Sequence, residues 1–150
     1  MGYIREIRKK IGHDPLMIVG ASVIVVNDQG QVLLQHRTDS GLGGYHGGCV
    51  ELYENVEDAA RRELLEETGL TAGKMTVYGV FSGPDLAYTY PNGDAASIVD
   101  VVYVCRDYTG ELRPQPEEVS ELKWFLPGDV PAEITPANRR ALYQWIRENA

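Results

Sequence analysis

The segment at residues 48–70, GCVELYENVEDAARRELLEETGL, constrains this 150-residue chain more than any other. Between Asn55 and Thr68 it contains neither Gly nor Pro, and Ala59, Ala60, Leu64, Leu65 and the glutamates are strong helix formers. Asn55 is the expected N-cap, with Asp58 three residues on as a capping-box-like partner, and Gly69 is the expected C-terminal stop. Val56, Ala60 and Leu64 recur every four residues and Ala59 widens the stripe, so one side of the helix must face a sheet. Glu63, Glu66 and Glu67 stand at i, i+3 and i+4, which brings their carboxylates together on a different side.

Three like charges at that spacing repel one another, and two arrangements relieve them. They stay solvated, the commonest fate of a glutamate cluster, or they share a hard divalent cation with oxygen ligands. Mg²⁺ suits one or two carboxylates plus the phosphate oxygens of a substrate. Glu54, just before the helix, extends the acidic surface. Arg62, four residues before Glu66, carries the rigid multi-donor fork that orients a carboxylate.

The order Gly48, five residues, Glu54, seven residues, then Arg62-Glu63-Leu64-Leu65-Glu66-Glu67-Thr68-Gly69-Leu70 resembles the signature of the Nudix hydrolase family at every fixed position. The resemblance implies an α/β/α sandwich with a mixed central sheet. It implies hydrolysis of a diphosphate bond in a nucleoside diphosphate derivative, with Mg²⁺, or Mn²⁺, as cofactor and water activated for attack on phosphorus. Glu63, Glu66, Glu67 and the backbone carbonyl of Gly47 would hold the metal, Arg62 would support them, and Gly48 would let the chain approach the helix closely. Two positions depart from the commonest family pattern: His46 stands where proline is usual, and Tyr53 where glycine is usual. Without proline the turn is less pre-set, and a Tyr held at positive φ would be strained. His46 is expected either to touch phosphate or to be a structural or exposed histidine.

The box handles the diphosphate, and the rest of the substrate must be read elsewhere. Arg37, at the end of a strand, is expected to reach phosphate or sugar, or else to form a surface salt bridge. Tyr88 and Tyr90 are expected to stack on a base or to pack against the body of the protein. Tyr88 lies 18 residues beyond Leu70, similar to a tyrosine of dinucleoside polyphosphate hydrolases, while Pro84, 14 beyond, is similar to a proline of ADP-ribose pyrophosphatases. Nucleoside triphosphates, oxidised ones included, ADP-ribose and nucleotide sugars therefore all stay open. The general base is expected at Glu118, or its neighbour Glu117, on a loop before the last strand, with Glu63 as the other choice. The contrasting reading is a regulatory Nudix-like domain that binds nucleotide without cutting it, which the intact Glu63, Glu66 and Glu67 oppose.

Charged residues make up 24% and hydrophobic residues 43% of the chain, proportions of a folded domain with a real core; residues 1–150 are expected to form one, with a short helix at about residues 3–11. A net charge of −8 and a pI near 4.8 disfavour extended binding to a DNA or RNA backbone. No run reaches the length of a membrane span and the N-terminal residues lack a signal peptide's apolar core, so no membrane contact and a cytoplasmic location are expected. Cys49 and Cys105 have no metal spacing, and His13, His36 and His46 are scattered, which leaves zinc without support. Homodimerisation is a possibility through the N-terminal helix or a strand edge.

Along the chain, Ile4, Ile7 and Ile11 mark an amphipathic helix stopping at Gly12, with a basic side of Arg5, Arg8, Lys9 and Lys10 expected to be solvated. Residues 16–26 read as a largely buried strand, NDQG as a hairpin turn, and 31–36 as the returning strand. Residues 38–49 hold five glycines in twelve and read as a flexible loop. Strands follow at 75–81, 98–106, where Asp100 is an exception expected to face a cleft, and 121–125. Between the first two lies an aromatic loop at 83–92. Thr135 and Pro136 open a final helix with Leu142, Trp145 and Ile146 on its apolar side.

Overall fold

The computed structural model describes residues 2–38, 40–115, 117 and 119–150. In chain order it comprises α1 (Gly2–Ile11), β1 (Leu16–Val25), β2 (Val32–Arg37), β3 (Gly43–Gly44), β4 (His46–Cys49), α2 (Val56–Thr68), β5 (Thr71–Ala72), β6 (Met75–Phe81), β7 (Ala87–Thr89), β8 (Ala95–Cys105), β9 (Tyr108–Thr109), β10 (Val119–Phe125) and α3 (Pro136–Asn149). The axis is β1, a run of β-branched residues suited to burial on both faces. It pairs in parallel with β8 along its whole length, from Leu16 against Ala96 to Val25 against Cys105. On its other side it pairs antiparallel with β4, Gly20 against Cys49 through Val23 against His46. The sheet runs β4-β1-β8-β6, with β7 also on β8, and is mixed because β6 and β7 are antiparallel to β8.

Alternation along β1 divides the core. Ala21, Val23 and Val25 point to the α2 side, where Ala59, Ala60 and Leu64 meet them with Tyr103 and Cys105. Ile24 and Val26 point to the α3 side and meet Val102, Phe81, Leu142 and Trp145. Helices on both faces of a mixed sheet give the expected α/β/α sandwich. Among the described residues no helix is long and apolar enough to cross a membrane.

Four local expectations are corrected. The NDQG turn forms, with the Gln31 carbonyl accepting from Asn27 N–H (3.0 Å), but β1 and β2 do not make a hairpin. After the single bridge Val26 to Val32, β2 leaves for a second sheet, β10-β2-β3, because its pairing with β10 extends from Val119 against Arg37 to Phe125 against Val32. The glycine-rich stretch is largely strand: Gly43 and Gly44 pair with β2, and His46 through Cys49 form β4. Its glycines serve close approach rather than flexibility, since a Cβ on Gly44 would collide with the Asn138 side chain of α3. The expected aromatic loop also holds strand β7, which carries Tyr88. Lastly, Arg8 is not solvated. Its guanidinium donates to the carbonyls of Gly12 (3.1 Å), Asp14 (2.7 Å) and Ala95 (2.7 Å), fastening α1 to β8, while Arg5, Lys9 and Lys10 stay exposed.

Asp100 does not line an open cleft. It is 4% exposed, and its carboxylate accepts from Ser22 Oγ (2.7 Å) and Tyr45 Oη (2.9 Å). Burial raises its pKa, opposed by these two hydrogen bonds. A carboxyl whose folded pKa lies above its unfolded value contributes stability below the unfolded pKa, and that contribution is lost as pH rises through the folded pKa. Asp100→Asn is therefore expected to gain stability relative to the wild type as pH rises from about 4 towards neutrality. Urea unfolding of both proteins across that range checks this, and parallel pH profiles would contradict it.

Candidate active site

Helix α2 is locked in rotation by Ala59, Ala60 and Leu64, all fully buried. Asn55 is its N-cap residue by backbone conformation (φ −67°, ψ 138°), but its side chain makes no cap bond; its amide instead donates to Asp58 (3.3 Å). At the other end Gly69 takes the left-handed conformation (φ 81°), and its N–H donates to the Leu65 carbonyl (2.9 Å). With its apolar side held in the core, the glutamate side of α2 is aimed at β4.

The contact between α2 and β4 depends on two missing side chains. A Cβ on Gly48 would overlap the Glu63 carboxylate, and one on Gly47 would overlap Ser22 Oγ and lie 2.7 Å from the Ala21 carbonyl. Gly47 N–H donates to Glu67 Oε1 (3.3 Å). Glu67 is 5% exposed, Glu63 lies over Gly48, and Glu66 is the most open of the three, its side chain 51% exposed. Among the described residues no three acidic, imidazole or thiol groups are gathered closely enough to enclose a metal on their own.

Arg62 joins the elements. Nε and Nη2 grip Glu54 bidentately (2.9 and 3.0 Å), Nη1 donates to Glu63 (2.8 Å), and Nη2 donates to the Cys49 carbonyl (3.2 Å). Glu66, the partner expected from helix spacing, is more distant at 3.7 Å. The bidentate hydrogen bond to Arg62 lowers the pKa of Glu54. Glu63 moves the other way, to about 7, because burial and then the nearby Glu67 charge outweigh its bond to Arg62.

His46 is corrected. It has no exposed surface, its Nε2–H points to the Leu33 carbonyl (3.2 Å), and Nδ1 lies 3.7 Å from Glu67 Oε1. It lies beside Glu67 with Nδ1 unpaired, and it has no face with which to touch phosphate. Glu118 lies outside the described residues; its neighbour Glu117 is exposed in a turn, its carbonyl accepting from Thr38 Oγ1 (3.2 Å). Tyr88 and Tyr90 meet edge to face with centroids 4.7 Å apart. Burial raises the Tyr90 pKa, with Cys49 and Tyr88 adding and Arg37 and Arg8 opposing, so Tyr90 shares its surroundings with Arg37 and with the end of β4. The sequence reading missed Glu54 as the principal partner of Arg62, and Ser22 and Asp100 beneath Gly47. The Glu54 to Arg62 spacing carries no helical signal because the chain turns between them.

The family model described as NUDIX domain matches residues 17–146. A Bacillus subtilis (strain 168) protein whose name proposes it as an 8-oxo-dGTP diphosphatase is 34% identical over 126 residues, covering 82% of this chain and 76% of that protein. The crystal structure of a MutT NUDIX hydrolase from Burkholderia pseudomallei superposes with a TM-score of 0.73 at 32% identity, covering 86% of this chain and 98% of that one. A MutT protein from Methanosarcina mazei Go1 shares the fold, with a TM-score of 0.70 at 19% identity over 91% of this chain and 97% of that one.

Tyr53, in the turn feeding α2, is the described non-glycine residue at positive φ (66°) and is fully exposed. The strain anticipated from the sequence is therefore present and uncompensated by packing. Tyr53→Gly is expected to stabilise the protein by about 1 kcal/mol, since the left-handed conformation costs a side-chain-bearing residue roughly that much. Denaturant unfolding midpoints measure it, and an unchanged or lower midpoint would count against strain at this turn.

Proposed function

This chain belongs to the Nudix family and is a Nudix-type pyrophosphohydrolase, and we propose that it cleaves the diphosphate of a nucleoside triphosphate in a reaction requiring Mg²⁺ or Mn²⁺. The observation that carries this reading is the Arg62 clamp: it holds Glu63 against Gly48 while the Gly47 amide holds Glu67, so several carboxylates crowd one turn beside a single guanidinium. The donor set is all oxygen and incomplete as it stands, which fits Mg²⁺, a cation that takes few protein carboxylates and completes its shell with water and phosphate. Glu63, Glu66, Glu67 and the Gly47 carbonyl would hold it. When bound, it would polarise the phosphoryl oxygens and lower the pKa of water.

The chain's own residues would do the rest. In the hydrolysis a water oxygen forms a bond to phosphorus and the bridging P–O bond breaks. The departing phosphate keeps the bonding electron pair, and the water proton passes to a base. Glu118 or Glu63 would take that proton, Arg62 would hold Glu63 in register, and the buried His46 would keep Glu67 from turning away. Arg37 and Tyr90 would contact the nucleoside side. The name of the Bacillus subtilis relative supports the triphosphate class, oxidised purines included, ahead of ADP-ribose and nucleotide sugars.

Product masses from dGTP, 8-oxo-dGTP, ADP-ribose and a nucleotide sugar, with and without Mg²⁺, test the reading. The expected products are a nucleoside monophosphate and pyrophosphate, with Glu66→Gln and Glu67→Gln each lowering turnover about a hundredfold or more. No metal-dependent turnover of any substrate would overturn it in favour of a binding module. Glu118→Gln separates the two bases: a loss of about a hundredfold assigns the loop, and near wild-type turnover removes Glu118 from the mechanism.

A further inference from the structure

A cavity of about 440 Å³ opens beside the candidate active site, between α1 and the turn joining β7 to β8. Ile4 and Arg8 of α1, Ile18 of β1, Cys49 of β4, and Tyr90 and Asn92 of the turn line it. Cys49 directly follows Gly48, on which the Glu63 carboxylate rests, and by strand alternation faces the other side, so the cavity lies across edge strand β4 from the acidic cluster. Its volume is that of a small-ligand site. Helix α1, which forms one wall, lies outside the residues matched by the family model, 17–146.

The chemistry of the lining narrows the occupant. Ile4, Ile18 and Tyr90 present apolar and aromatic surface, and the edge-to-face contact with Tyr88 leaves a face of the Tyr90 ring uncovered by that partner. The cation in the lining, Arg8, has three backbone carbonyls on its terminal nitrogens, and its Nε is buried without a hydrogen-bond partner, 3.7 Å from Asp94. A phosphate entering here would find Arg8 already engaged and would meet the Asp94 carboxylate, which also lines the cavity. Of the neutral polar groups, the Asn92 amide is already bonded to Asp94 through both Nδ2 (3.2 Å) and Oδ1 (3.0 Å), which leaves the Cys49 thiol at hand. A flat, uncharged ring with a polar edge suits such a site, and a sugar diphosphate or second phosphate does not.

We propose that this cavity holds the nucleobase of the substrate, stacked on Tyr90 and closed by Ile4 of α1, making the N-terminal helix a specificity element. The inference rests on the proposed nucleotide hydrolase reading and adds where the base lies. The test compares kcat/KM for dGTP with kcat/KM for ribose 5-triphosphate, which lacks a base, in the wild type, Ile4→Trp and Tyr90→Ala. Ile4→Trp fills the cavity and Tyr90→Ala removes its stacking surface. Each is expected to lower the ratio of the two kcat/KM values about tenfold or more, chiefly through KM for dGTP. Thermal unfolding of each variant, and the agreement of two opposite changes of volume, guard against a folding defect. If the wild type cleaves dGTP but neither variant shifts the ratio, the base lies elsewhere and this inference falls while the hydrolase reading stands. If the wild type cleaves neither of these compounds nor any nucleotide of the panel above, 8-oxo-dGTP included, the parent reading falls and takes the inference with it.

Discussion

The guanidinium of Arg62 is the interaction on which the site depends. It bonds at once to Glu54 before α2, to Glu63 within α2 and to the Cys49 carbonyl at the end of β4. Without it Glu54, Glu63, Glu66 and Glu67 would repel one another around a single turn. A bidentate, partly buried guanidinium-carboxylate pair is stronger and more directional than an exposed lysine contact. It also has a steric precondition. The Glu63 carboxylate occupies the space a side chain at position 48 would need, so the charge network and the glycine pair are one device.

On the far side of β4 the support is polar and buried. Ser22 lies against Gly47 and donates to Asp100, which also accepts from Tyr45; His46 bonds the Leu33 carbonyl through Nε2, while its buried Nδ1, 3.7 Å from Glu67, has no hydrogen-bond partner. Buried polar groups that find partners specify one arrangement more sharply than apolar packing does. The turn that has lost the usual proline thus gains a different restraint: a fully buried imidazole replaces a ring that fixes φ. Nothing comparable relieves Tyr53, which carries its strain in full exposure.

The helix, its glycine stop and its apolar stripe were legible because they rest on local signals: Val56, Ala59, Ala60 and Leu64 can face only one way once the helix forms, whereas the Asn55 side-chain cap expected at its start does not form. Strand positions were legible for the same reason. Pairing was not. The NDQG turn signalled a hairpin, yet β2 pairs with β10, some eighty residues on, because extended ladders outweigh one local turn. Glycines at 43, 44 and 47 read as flexibility, when each, like Gly48 for which close approach was expected, proved to be a place where another side chain or backbone comes close.

Helical spacing alone places three glutamates and an arginine on one side of a helix stopped by Gly69, and so sets the class of chemistry open to the chain. That much follows from 3.6-residue periodicity and fixed spacing, which are properties of a single segment. Tertiary structure alone decided that Arg62 would hold Glu54 rather than Glu66, that His46 and Asp100 would be buried, and that α1 would wall a cavity beside Cys49. Those outcomes depend on contacts between segments far apart in the chain, and no local pattern encodes which distant group will occupy the space beside a given side chain.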